Sequence, residues 1–188
     1  WATEMVSQMK EKMGAEWEAK LTKIVRNGKP AEKLRALSIL AQFGPKPSAE
    51  LLVAATNDQD ADVRAFATHL LGDHSGKAVQ DAVVRLVSDS HPFVQRRATE
   101  AAIRSGSAIP VEKLLPLLAS EDRWLRFAGR LALERIPSEQ WHELIVGSKD
   151  PDVALIGLLA LYRNDAAKTA HEALKVSREL LEGGRGKL

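Results

Sequence analysis

At 188 residues and 20.6 kDa the chain has the length of one domain or two small ones, and its 45% hydrophobic and 28% charged content excludes general disorder. It contains no cysteine, which removes disulfide frameworks, thiolate metal sites and cysteine nucleophiles, and its 27 basic against 25 acidic side chains are too balanced for a dedicated polyanion binder. Alanine (27) and leucine (25) fill 52 positions against 5% aromatics, which favours helix over sheet, and no apolar run approaches the roughly 18 residues of a membrane span.

The chain opens at Trp1 without a methionine or a signal-like start, as a piece of a longer protein would. Residues 3–27 read as one amphipathic helix with Met5, Met9, Met13, Trp17, Leu21 and Ile24 along one side. This segment, 1–28, is expected to cover one end of the remaining chain rather than to offer a methionine-rich partner surface.

From residue 30 onward the sequence repeats itself. The anchors Leu34, Val63, Val94, Leu125 and Val153 are separated by 29, 31, 31 and 28 residues. Four positions after them stand Ser38, Ala67, Ala98, Gly129 and Gly157; seven after them stand Ala41, Leu70, Ala101, Ala132 and Ala160. Those offsets share one helical face, which predicts helices over 30–43, 60–72, 91–104, 121–136 and 150–163. Glycine inside a helix costs about 1 kcal/mol relative to alanine, so Gly129 and Gly157 mark places where another backbone comes close. Asp60, Asp122 and Asp150 lie where a side-chain oxygen can cap free N–H groups, and Pro92 and Pro151 fill the first-turn slot that proline tolerates.

The last four of these helices are each preceded by another, near 48–57, 77–88, 110–119 and 138–147, across short polar turns such as Asn57–Asp60 and Ser88–Ser90. No segment alternates with period two between hairpin signals. The unit is thus helix–turn–helix of about 30 residues, unable to bury its apolar face without neighbours. Residues 165–182, with Ala166, Ala170, Leu174 and Leu181 on one face, read as a C-terminal covering helix or the first helix of a further unit. The glycine-rich tail 183–188 reads as flexible.

The run Asp60-Ala-Asp-Val63-Arg64-Ala-Phe-Ala67 resembles the short, PBS-lyase-type HEAT-like repeats, whose pattern is Asp-x-x-Val-Arg-x-x-Ala. Asp122-Arg-Trp-Leu125-Arg126 and Asp150-Pro-Asp-Val153 fit in part. Gln95 and Ala154 depart where arginine is usual, and the unit of Leu34 lacks the capping aspartate. The resemblance implies an all-α fold: a right-handed α-α superhelix of about five helix pairs over 29–164, with capping helices at 1–28 and 165–182. It implies fold more than function, because such repeats serve scaffolds, enzymes and nucleic-acid binders alike. Leu114-Leu-Pro-Leu-Leu-Ala-Ser-Glu-Asp122 is also similar to repeat segments of large bacterial multidomain proteins that carry c-type cytochrome modules.

Chemistry-bearing residues are sparse. Gly72-Asp73-His74-Ser75-Gly76 holds the residue types of a hydrolase triad, but adjacent side chains diverge and triads assemble through the fold; a polar turn is the better account. His142-Glu143 and His171-Glu172 resemble half of the four His-Glu pairs of helical-repeat di-iron hydroxylases, without metal-ligand spacing around them, and read as solvent-facing. Gly183-Gly-Arg-Gly-Lys187 lacks the strand, helix and hydroxyl residue of a phosphate loop.

The informative polar feature is the arginine one residue after the anchor: Arg35, Arg64 and Arg126, with Arg96, Arg97 and Arg130 nearby. Either it pairs with an aspartate in the next unit's turn, forming a ladder, or it lines the concave side as a cationic stripe that meets a nucleic-acid backbone. Phe93 and Trp124, just before their anchors, either tuck between layers or form an aromatic hot spot. The function expected is a non-catalytic interaction scaffold for a protein or peptide, touching it through Arg64, Arg96, Arg126 and Arg130 with Trp124 as anchor, and needing no cofactor or metal. The alternatives are a nucleic-acid-binding or DNA-glycosylase-type module, which the charge balance disfavours, and a docking segment of a larger, possibly redox, enzyme.

Overall fold

The computed structural model describes residues 2–164 and 166–182, and among them every regular element is helical. The elements are α1 (Ala2–Met13), α2 (Glu16–Asn27), α3 (Pro30–Phe43), α4 (Ala49–Ala55), α5 (Ala61–Leu71), α6 (Lys77–Leu86), α7 (Pro92–Ser105), α8 (Val111–Leu118) and α9 (Arg123–Leu133), then a 3-10 turn (Ser138–Gln140), α10 (His142–Val146), α11 (Pro151–Asn164) and α12 (Ala166–Leu181). Trp1 and the tail 183–188, with its glycine-rich run, lie outside the described residues.

Helices pair as α2/α3, α4/α5, α6/α7, α8/α9 and α10/α11. The second members α3, α5, α7, α9 and α11 stack on one another in that order, and α2, α4 and α6 form a second row. The extensive contacts join each unit to itself and to its neighbours, as expected when no unit can bury its own apolar face. The helix starts follow the caps: Asp60 accepts from the Val63 N–H at 3.0 Å, Asp122 from Trp124 at 2.8 Å, and Asp150 from Asp152 at 2.9 Å. In the unit of Val94, His91 Nδ1 takes this role, accepting from the Phe93 N–H at 3.3 Å.

Close approach explains the small residues four after the anchor. A Cβ on Gly129 would lie 2.9 Å from Leu117 Cβ on α8, and one on Gly157 would run into the Ile145 side chain on α10. Gly129→Ala should therefore lose about 1–2 kcal/mol by urea denaturation despite its better helix propensity, since Leu117 Cβ is fixed by its own backbone. A gain in stability would show that α8 can retreat.

Three expectations change. The helix expected over 3–27 is two, because Gly14 takes a left-handed φ of +51° and turns the chain between α1 and α2. Helix α2 then buries Trp17, Leu21 and Val25 as the first helix of the first pair, with Trp17 Nε1 donating to the Gly44 carbonyl at 2.8 Å. Met5, Met9 and Ile24, read as part of the covered stripe, are exposed.

The first unit's register also moves. In the later units the residues 4, 5 and 8 after the anchor are buried: Ala67, Thr68 and Leu71, then Ala98, Thr99 and Ala102, and so on. In α3 the buried residues are Ala36, Leu37 and Leu40, while Leu34 is half-buried and Arg35 exposed. That pattern puts the anchor at Glu32, which restores a spacing of 31. Here no earlier second helix covers the anchor, so a charged residue is tolerated; Glu32 instead accepts from the Lys29 N–H at 2.8 Å. Finally, the helix expected over 138–147 is a 3-10 turn followed by the five-residue α10.

Candidate functional site

The polar side chains of the turns form a repeated device. Five residues before each anchor stands Asp58, Asp89, Ser120 or Ser148. Its side-chain oxygen accepts from the N–H two residues on, at 3.0, 2.9, 3.2 and 3.2 Å. The residue one after the anchor reaches back to the same turn: Arg64 to the carbonyls of Asp58 and Gln59 (3.0 and 2.9 Å), Gln95 to that of Asp89 (2.7 Å), and Arg126 to those of Ser120 and Glu121 (2.5 and 3.1 Å).

Where the next turn carries an aspartate, the same position also bridges units. Arg64 forks onto Asp89, Nε to Oδ2 at 3.0 Å and Nη2 to Oδ1 at 2.9 Å. Lys33, which takes the place of the expected Arg35, meets Asp58 at 2.6 Å. The next turns offer Ser120 and Ser148, so Gln95 and Arg126 close their own turns without a carboxylate beyond. The ladder thus runs through the first three units and stops.

The five side chains expected at a partner surface occupy different environments. Arg64 lies within the ladder. Arg126 is spent on its own turn. Arg130 is 8% exposed, pairs with Glu134, and lies 5.2 Å over the Phe127 ring; Glu134 also takes Arg163 of α11 at 3.1 Å. Arg96 and Arg97 both lie over Phe93, at 5.0 and 5.2 Å, and share Glu100. Trp124 stands out at 53% exposed, with Arg123 stacked 4.6 Å over its ring. The two aromatic readings therefore divide: Phe93 packs against the core and Trp124 does not.

Trp124 has company that the sequence pattern does not single out. Phe127 on α9 and Leu155, Leu159 and Tyr162 on α11 are all exposed, and Leu131 is half-buried. Relative to the anchors these residues sit at −1, +2 and +6 on α9 and at +2, +6 and +9 on α11, one stripe of a helix surface. Glu134 at the end of α9 touches Arg163 at the end of α11, so the two helices run parallel and equivalent offsets lie side by side. The same offsets upstream hold Ala65 and His69 on α5, and Arg96 and Glu100 on α7. The signal was available as large apolar residues at +2 and +6 in two units only; a search for the shared pattern discards such differences.

Residues 48–134, from the N-cap of α4 to the residue after α9, match the family described as HEAT repeats. Over those residues the chain is similar to HEAT repeats. No curated protein matches it. The match covers the units carrying Val63, Val94 and Leu125.

Other reactive groups in this chain do not converge. Among the described residues no three His, Asp or Glu side chains gather as a metal site. His142 contacts the adjacent Glu143 at 3.3 Å; the side chain of Glu172 lies outside what is described. Asp73, His74 and Ser75 stand in sequence along one turn without assembling into a triad. Burial, then Lys46, pushes the His74 imidazole below its usual pKa, against the Asp73 charge and a hydrogen bond to the Pro47 backbone. Gly76 supplies the unusual backbone of this turn, at φ +112°.

The ladder carboxylates titrate with a definite sign. Burial pushes Asp58 and Asp89 up. Lys33 with the Asp60 N–H, and Arg64 with the His91 N–H, outweigh it and hold both below the ordinary aspartate range. A depressed folded pKa gives stability that is present above the unfolded value of about 3.9 and is lost as pH falls through the folded value. The stability gap between wild type and Asp89→Asn should therefore hold steady from pH 7 to about 5 and close at lower pH. Denaturation curves with a gap unchanged down to about pH 3 would contradict the pairing.

Proposed function

We propose that this protein is a HEAT-like, non-catalytic protein-interaction scaffold that receives its partner on the second-helix face of its last two units. HEAT repeats are commonly interaction scaffolds and generally non-catalytic. The observation that carries the reading for this chain is the exposed run Trp124, Phe127, Leu155, Leu159 and Tyr162. Soluble proteins seldom leave so many large apolar side chains together in water without a use, and Trp with flanking Arg is the composition of interface hot spots. Trp124 is the anchor, Arg96 and Arg126 flank the surface, and Arg64 and Arg130 serve it by holding the helices in place.

A photo-crosslinking amino acid at Phe127, with one at the exposed Glu50 of α4 as control, tests this in extracts of the source cells. Discrete protein adducts at 127 and none at 50 are expected. Equal labelling at both positions, or none at 127, would overturn the assignment.

A further inference from the structure

Resting on that reading, we infer that the paired stripes of α9 and α11 take an amphipathic helix of a partner protein, with its apolar side in the groove and an acidic flank. The shape argument comes first. Two parallel helices pack with axes roughly 8–10 Å apart, and their facing rows of Trp124, Phe127 and Leu131 and of Leu155, Leu159 and Tyr162 make two ridges with a groove between. The backbone of both helices is hydrogen-bonded internally, so an extended strand would find no ladder to join. Affinity must come from side chains, which a helix delivers at i, i+3, i+4 and i+7 along one edge. The stripe is bounded: at α7 the same offsets turn to Arg96 and Glu100.

Charge selects the flank. Counted with their caps and last turns, the second helices over 91–105, 121–136 and 150–164 carry eight arginines against six carboxylates, a small positive excess. Arg104 is met by Asp73, Arg126 by its own turn and the buried Arg130 by Glu134, which leaves Arg96, Arg97, Arg123 and Arg163 to face an incoming helix. Glu100 is shared by Arg96 and Arg97, and Glu134 by Arg130 and Arg163, so each cluster keeps positive charge in excess. Arg123 meets a π face rather than a carboxylate. Carboxylates along one side of the incoming helix would complete these pairs. The aliphatic centre, Leu155 and Leu159, offers a phosphate backbone nothing, which sets nucleic acid aside.

The test pans a random library of peptides of about 16 residues, roughly 24 Å as a helix, on the immobilised chain. Recovered peptides should space apolar residues at three and four and carry more Asp and Glu than Lys and Arg. A recovered peptide should bind about tenfold more weakly to Leu159→Ser and to Trp124→Ala, and several-fold more weakly to Arg123→Glu, with that last loss shrinking at high salt. Melting curves of the variants should match wild type, since these side chains are exposed. Recovery of basic or neutral peptides, of none, or of peptides indifferent to Leu159→Ser overturns the inference. So does self-association lost in Leu159→Ser by sedimentation, which makes the occupant a second copy, or a salt-sensitive shift of a single-stranded oligonucleotide. Persistence of crosslinks at position 127 in any of these cases would leave the scaffold standing and remove only the acidic helix.

Discussion

Trp141→Ala is expected to cost about 3–5 kcal/mol, the range for truncating a fully buried aromatic, and to release the last unit before the rest. Helix α10 has five residues, far below the length at which a helix is stable in water by itself. Its place is fixed from outside. Trp141 and Ile145 are both 0% exposed, Trp141 Nε1 donates to the Ile136 carbonyl at 2.9 Å, and Ile145 lies over the gap left by Gly157 on α11. Removing the indole leaves a cavity beside a single turn and an unpaired carbonyl. Because a stack of repeats is held by nearest-neighbour interfaces, the loss should appear first in α10 and α11. Amide exchange is expected to accelerate at 142–146 and 151–164 with little change in α5 and α7. Uniform acceleration along the chain would mean that the units unfold as one block.

The legibility of this fold in its sequence depends on what each level of signal rests on. Helix faces were legible because a buried stripe repeats at fixed offsets: the spans read at 30–43, 60–72 and 91–104 lie within one residue of α3, α5 and α7. Failures fall where neighbours are missing or local conformation decides. Gly14 sits inside an unbroken apolar pattern, so only its positive φ shows that the chain turns there. Glu32 stands at an anchor with no preceding second helix to bury it, and the nearest apolar residue, Leu34, drew the register two positions off. At the candidate site the arginine pattern pointed to the ladder, whose reach could be read from Asp58 and Asp89 giving way to Ser120 and Ser148. The apolar stripe of α9 and α11 went unread because the same residue types mark a core. Exposure alone separates the two, and exposure is a property of the stack.

Arg64→Ala is the second large effect, expected at about 2–4 kcal/mol, and it separates the ladder from ordinary surface pairing. Exposed ion pairs contribute under about 1 kcal/mol, but here both side chains are largely covered, at 14% and 10% exposed, and the guanidinium makes four hydrogen bonds. Truncating it strands Asp89 as a poorly hydrated charge and leaves the carbonyls of Asp58 and Gln59 without their donor. Arg64→Lys should recover only part of the loss, because an ammonium cannot fork onto the carboxylate and also reach back to the turn. Arg126 provides the internal comparison: it closes its own turn in the same way but has Ser148 beyond it. Arg126→Ala should cost about 1 kcal/mol, the value of turn closure alone. The bridging share can then be measured in a double-mutant cycle of Arg64→Ala and Asp89→Ala, expected to give a coupling of about 1–3 kcal/mol. Equal losses for the two arginines, with no coupling to Asp89, would mean that the turn rather than the bridge stabilises the stack. A positive coupling makes the joints between the first three units stiffer than the later ones. The exposed apolar stripe would then sit on the part of the stack that is freest to adjust around a partner.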